Sequence, residues 1–111
     1  MDSGEQTQAL GTELRLDVFA GHVGSMVRVQ RGPEWVGLEL REAVALGGHR
    51  PVEAEKFSLI FVGAGEKRLQ QGMHAFDHPV LSGFELFITP VMSPKVGECW
   101  YEAVINRGDF P

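Results

Sequence analysis

Four histidines, His22, His49, His74 and His78, are the side chains of this sequence best suited to metal chemistry. His74 and His78 are the one pair close in sequence. On a strand they share a face but stand about 13 Å apart at ~3.3 Å per residue. Two ligands of one zinc ion, each ~2.1 Å from it, cannot be so far separated. On a helix the spacing would work, but Gly72 and Pro79 leave six residues between two breakers. A site that joins either residue to His22 or His49 depends on tertiary approach, so no metal is expected.

Nucleophilic chemistry has equally thin support. The serines are Ser3, Ser25, Ser58, Ser82 and Ser93, and none lies in a G-x-S-x-G elbow. Ser25 and Ser82 adjoin glycines, where turns favour serine. Cys99 alternates onto one face with Tyr101, Ala103 and Ile105, a core setting for a thiol rather than an activating one. As the single cysteine it can make neither an internal disulfide nor a Cys-based metal site. Glu42 is an acid on an otherwise apolar face, which a β-bulge explains as well as catalysis does. Gly63-x-Gly65 follows an apolar strand as dinucleotide loops do, yet Arg68 occupies the third glycine position and no long helix follows. A turn is the better reading, and no cofactor is expected. Arg107-Gly108-Asp109 spells an integrin-binding tripeptide, but three residues in a tail specify little.

Arg28, Trp35 and Arg41 offer a surface rather than a reaction. If residues 26–31 and 35–41 pair around the turn Arg31-Gly32-Pro33-Glu34, these three share the outward face. Tryptophan and arginine are the types most enriched at the energetic centres of interfaces. The competing reading has Trp35 covering a barrel end or packing beneath the N-terminal helix.

The elements that must position these residues are mostly strands. The chain has 111 residues and 12.2 kDa, one domain's worth. Its 43% hydrophobic and 23% charged content are ordinary globular values. Residues 1–11 are polar and without periodicity, and read as a flexible arm. Leu16, Phe19, Ala20 and Val23 mark a helical face, with Thr12 as N-cap and Gly24 as a left-handed C-cap; the alternation of Leu14, Leu16, Val18 and Ala20 permits a strand instead. Strands follow from Met26 onward, and a long one carries Val36, Leu38, Leu40, Val44 and Leu46 on one face with a bulge near Glu42-Ala43. Gly47 to Glu55 reads as a loop, Gly63 to Glu66 and Leu81 to Gly83 as turns, and Met92 to Gly97 as another loop. Phe57–Val62 and Phe84–Thr89 are apolar on both faces, the latter ended by Pro90. A final strand spans Glu98 to Asn106. The expectation is a mostly β domain over residues 12–107: a small antiparallel barrel or sandwich of about six strands with one short N-terminal helix, and a tail at 108–111.

Charge narrows the partners. Residues 1–13 hold Asp2, Glu5 and Glu13 and no base, while the remainder holds 12 acids against 10 bases. Phosphate-backbone binding needs an excess of Lys and Arg, so bulk nucleic-acid binding is not expected. No apolar run approaches the ~18 residues of a membrane span, and Met1-Asp2-Ser3-Gly4-Glu5 lacks the basic start of a signal peptide. No membrane association is expected, and a reducing compartment, the cytoplasm, is the default.

Phe57-Ser58-Leu59-Ile60-Phe61, Gln71-Gly72, His78-Pro79, Gly83, Glu85-Leu86-Phe87, Thr89-Pro90-Val91 and Tyr101-Glu102-Ala103-Val104-Ile105-Asn106 together resemble a bacterial family of about 100 residues classed as a domain of unknown function. Phe19-x-x-His22-Val23-Gly24 resembles that family's opening. The resemblance covers roughly residues 12–107 and carries fold motifs rather than an active site. Genes of such proteins often lie beside ones for phage tail-collar-like proteins, so it implies an accessory role in a tail-like or fibre assembly. Three functions are therefore carried: a non-enzymatic structural or interaction domain that docks on a protein or self-associates, a small-molecule-binding barrel, and an enzyme of unstated class.

Overall fold

The computed structural model describes residues 14–46 and 56–106. The expected arm at 1–11, the Thr12 cap, the Gly47–Glu55 loop with His49, the Arg107-Gly108-Asp109 tripeptide and the tail at 108–111 lie outside the described residues. Within them the chain forms α1 (Leu16–Ala20), β1 (Met26–Arg31), β2 (Glu34–Ala45), β3 (Lys56–Ala64), β4 (Gly72–His78), β5 (Ser82–Val91) and β6 (Glu98–Asn106). The strands close into an antiparallel barrel in the order β1-β2-β3-β6-β5-β4. Barrel thus prevails over sandwich, and helix over strand for the leading segment. Five residues cannot sustain an isolated helix; α1 exists because Leu16 and Phe19 bury, the Phe19 ring lying 5.5 Å from Phe84 and 6.3 Å from Phe57. Gly24 does take a positive φ of 96°, but the helix has already ended at Gly21 in a right-handed conformation.

Alternation then sorts the strand residues. Leu38, Leu40, Phe57, Phe61, Phe76 and Tyr101 are among those filling the interior. β3 is two-sided as expected, because β2 and β6 flank it along its length and bury Ser58 and Val62 on the outer face as well. β5 corrects the reading: Phe84, Leu86 and Ile88 point inward while Glu85 and Phe87 stay exposed, so it is one-sided. Nor does Pro90 end it. The strand runs to Val91, and its seam with β6 is only the pairs Thr89–Glu102, Pro90–Tyr101 and Val91–Trp100, which asks few hydrogen bonds of a residue lacking an N–H. The bulge falls between Leu40 and Glu42, one step earlier than expected. That extra residue turns Ala43 and Ala45 toward the core and leaves Val44, assigned by simple alternation to the core face, exposed.

Two turns also shift. Pro79–Leu81 makes the turn expected at Leu81–Gly83, and Ser82 opens β5 with a φ of 67°. The cause is His78, whose Nδ1 accepts the N–H groups of Val80 and Leu81 at 3.0 and 3.1 Å. Gly63 lies within β3, where an added Cβ would collide with Leu38 Cδ2, so packing rather than phosphate binding calls for glycine there.

The register sets two ends. α1 and the turn after β4 lie at one, beside Phe57 and Phe84. The β1–β2 turn, the 92–97 loop and a strap of residues 65–71 between β3 and β4 lie at the other.

Candidate functional site

On the outer wall, Arg28 and Trp35 meet. Gln30 pairs with Trp35 and Arg28 with Gly37, which brings the two side chains onto neighbouring rungs of the β1–β2 hairpin. The guanidinium carbon of Arg28 stands 4.8 Å from the indole centroid, and its Nη2 donates to Asp77 Oδ2 of β4 at 2.7 Å. Asp77 thereby aims the cation at the ring, and Trp35 remains 42% exposed. Exposed Met26 extends this face, its methyl resting over Gly37. Trp35 therefore covers neither a barrel end nor the underside of α1.

Arg41 belongs elsewhere. It is six residues along β2 from Trp35, about 20 Å at ~3.3 Å per residue, and it sits at the bulge. There it donates to Glu39 Oε1 at 2.9 Å and lies 5.5 Å above Trp100, whose Nε1–H donates to Glu98 at 3.0 Å. Its Nε is buried without a partner among the described residues. The three arginine and tryptophan positions thus form two clusters rather than one.

The histidines regroup. His74 and His78 do not approach each other; His78 meets His22, with ring centroids 5.0 Å apart. His78 is 4% exposed, and because its Nδ1 accepts two backbone N–H groups, its proton sits on Nε2 and is donated to Ser25 Oγ at 2.9 Å. Ser25 in turn donates to the His22 carbonyl at 2.6 Å. A serine nucleophile needs the reverse direction, with imidazole accepting its proton. This chain of bonds is a clasp that ties the α1–β1 turn to the end of β4. Burial, reinforced by the neighbouring His22 and opposed by Asp77, lowers the His78 pKa and favours the neutral ring. Sequence spacing could not reveal it: His22 and Ser25 are three apart at a glycine-flanked turn, but nothing links them to a histidine 53 residues on from Ser25. Among the described residues no group of three or more His, Cys, Asp or Glu is placed to hold a metal ion.

At the opposite end the strap, where the sequence indicated no long helix, walls two open clefts. One of about 620 Å³ lies between Arg68–Gln71, the end of β5 and the start of β6; the other, about 470 Å³, lies against the β1–β2 turn. Leu69 plugs the barrel beneath, its N–H donating to Tyr101 Oη at 2.9 Å. Burial raises the pKa of that phenol. Cys99 is buried beside it, in the core setting its spacing indicated.

These features define a small closed antiparallel barrel whose interior is occupied by its own side chains and whose polar chemistry lies on the wall and at the two ends. Among the described residues no helix is long and apolar enough to cross a membrane. The chain belongs to the family described as a domain of unknown function, DUF6916, which matches residues 14–105. Neither a curated protein nor a solved structure matches it.

Proposed function

We propose that this domain is a non-enzymatic interaction module that docks on a protein partner through the outward face of its β1–β2 hairpin. The observation that carries the reading is Trp35, exposed on the wall and held under Arg28, which Asp77 fixes in turn. An aromatic anchor with its orientation set before binding loses little side-chain entropy on association, which is what an energetic centre needs. The family resemblance suggests that the partner is a component of a tail-like or fibre assembly, met in the cytoplasm or in that assembly. A small-molecule barrel has less support, because residues such as Leu38, Phe61 and Phe76 occupy the place where a ligand would sit.

Affinity purification of the tagged protein from its own host, run beside Trp35→Ala and Arg28→Glu, tests the reading. A stoichiometric partner retained by the parent and lost by both variants is expected. Retention indifferent to both substitutions, or no retained protein at all, would overturn it.

A further inference from the structure

The histidine clasp at the helix end and the docking face on the wall are connected. The register joins β1 to β4 at Arg28–Asp77 and Val29–Phe76, a short seam between the longer β1–β2 and β4–β5 ladders. His78 follows Asp77 as the last residue of β4, and Ser25 precedes Met26, the first of β1. Their side-chain bond of 2.9 Å therefore continues the seam where its backbone pairs stop. Asp77, one residue from the clasp, is also the carboxylate that holds Arg28 against Trp35. A shift of the end of β4 moves that anchor.

The clasp has no place for a further proton. His78 Nδ1 accepts the N–H groups of Val80 and Leu81, and Nε2 already directs its hydrogen to Ser25. A proton added at Nδ1 sets a third donor against those two and leaves both amides without an acceptor. The turn they hold leads into Ser82, among the described residues the one non-glycine with a positive φ, 67°. Such a conformation persists only while its surroundings impose it. The groups around the ring do not offset the added charge. His22, from the α1–β1 turn, stands edge-on with centroids 5.0 Å apart and brings a like charge when protonated. Asp77 of β4 favours the proton, but its carboxylate is already engaged by Arg28 of β1. The Pro79–Leu81 turn carries no titratable side chain, and β2 reaches the α1–β1 turn through the Leu40 backbone.

We propose that the clasp is an acid release for the docking face: a proton on His78 frees the end of β4, and Asp77 then ceases to aim Arg28 at Trp35. The proposal rests on the interaction reading above and supplies its regulation. Docking holds at neutral pH and is lost in acid.

The test is a pH titration of the full chain by NMR, from about pH 8 to about pH 4.5, which spans the ordinary histidine value of about 6.5. Long-range proton–nitrogen spectra follow the His78 ring. The Trp35 indole N–H reports the docking face, and the Leu69 amide reports the strap end. The Trp35 signal should move with the same midpoint as the His78 ring while the Leu69 amide stays in place. His22→Gln should raise that shared midpoint, since a like charge is removed. Asp77→Asn should give the acid position of the Trp35 signal already at neutral pH. In His78→Asn the Trp35 shift should vanish; if that variant does not fold, the midpoints in the parent and in His22→Gln decide. Host capture should be kept at neutral pH, lost below the midpoint, and kept at both in His78→Asn. A Trp35 signal indifferent to the His78 ring, a shift that persists in His78→Asn, a neutral-pH Asp77→Asn signal like the parent's, or capture equal on both sides of the midpoint would overturn the proposal. Capture that ignores Trp35→Ala at neutral pH would overturn the interaction reading instead. The NMR titration needs no partner, so it keeps the two failures apart.

Discussion

At the helix end of the barrel, Phe19 presses on Phe57 and Phe84, and a neutral histidine–serine clasp locks the adjoining turns together. At the strap end a single leucine is the plug, and hydrogen bonds from backbone groups and surface side chains hold the segment that carries it. The first closure is mainly apolar area; the second is mainly hydrogen-bond geometry, with an open cleft on either side of the strap. That difference shows how one small barrel can be closed at its two ends by different means. At the helix end the polar groups Ser25 and His78 bond to each other in the clasp, while at the strap end the exposed side chains of Lys67, Arg68 and Gln70 stay on the surface.

Core truncations put the largest strain on this comparison. Phe19→Ala should cost about 3–5 kcal/mol, and Leu69→Ala about 2–3 kcal/mol because the flanking clefts let the strap settle into the space. Urea denaturation of the two variants gives the order. If Leu69→Ala proves the more damaging, the strap end is the structural one and the contrast is reversed.

Removing one oxygen at each end comes next. Tyr101→Phe strands the Leu69 N–H, and Ser25→Ala strands the His78 Nε2–H; each should cost about 1–3 kcal/mol. Hydrogen exchange separates the two. Tyr101→Phe should lower the protection of the Leu69 amide and leave the helix end unchanged, and Ser25→Ala should do the opposite. Matching losses at both ends in either variant would mean that the ends open together.

How much of this was legible in the sequence depends on the range of the interaction. Glu98–Asn106 and Met26–Arg31 were readable because alternation and turn residues act over a few positions. Trp35 and Arg28 could be placed on one face because a tight hairpin fixes its own register. Arg41 also lies on the outer wall, but six residues along β2 from Trp35 it meets Glu39 and Trp100 rather than the Arg28–Trp35 pair, a grouping that face alternation alone does not give. The His78 clasp and the strap were invisible. The clasp joins residues 53 apart, and the Leu69–Tyr101 bond spans 32. Nothing local in Lys67-Arg68-Leu69-Gln70-Gln71 says which leucine will plug a barrel.

Titration should unfasten the two ends from opposite sides of the pH scale. His78 has a lowered pKa in the folded state, so its contribution is complete above its unfolded value of about 6.5 and is lost as pH falls toward the folded value. Tyr101 has a raised pKa, so its contribution is complete below about 10 and is lost as pH rises above it. His78→Asn, which keeps an acceptor near the Val80 and Leu81 amides and cannot titrate, should flatten the acid limb of stability against pH. Tyr101→Phe should flatten the alkaline limb alone. An acid limb unchanged by His78→Asn would remove the titratable part of the clasp from the comparison.

The smallest effects belong to the surface ion pairs, which also occur at both ends. Lys67 and Arg31 hold the Glu34 carboxyl below its usual range at the strap, and Arg15 does the same for Asp17 on α1. All of these groups are solvated, so attraction in water is largely offset by side-chain ordering and screening. Their contributions are present above the unfolded carboxylate range and fade as pH falls through the folded values. Glu34→Gln and Asp17→Asn should therefore shift the urea midpoint slightly at low salt and not measurably at high salt. A Glu34→Gln effect that persists in high salt would show that this carboxylate positions the strap through its two hydrogen bonds, and that the strap depends on its surface as well as on Tyr101 and Leu69.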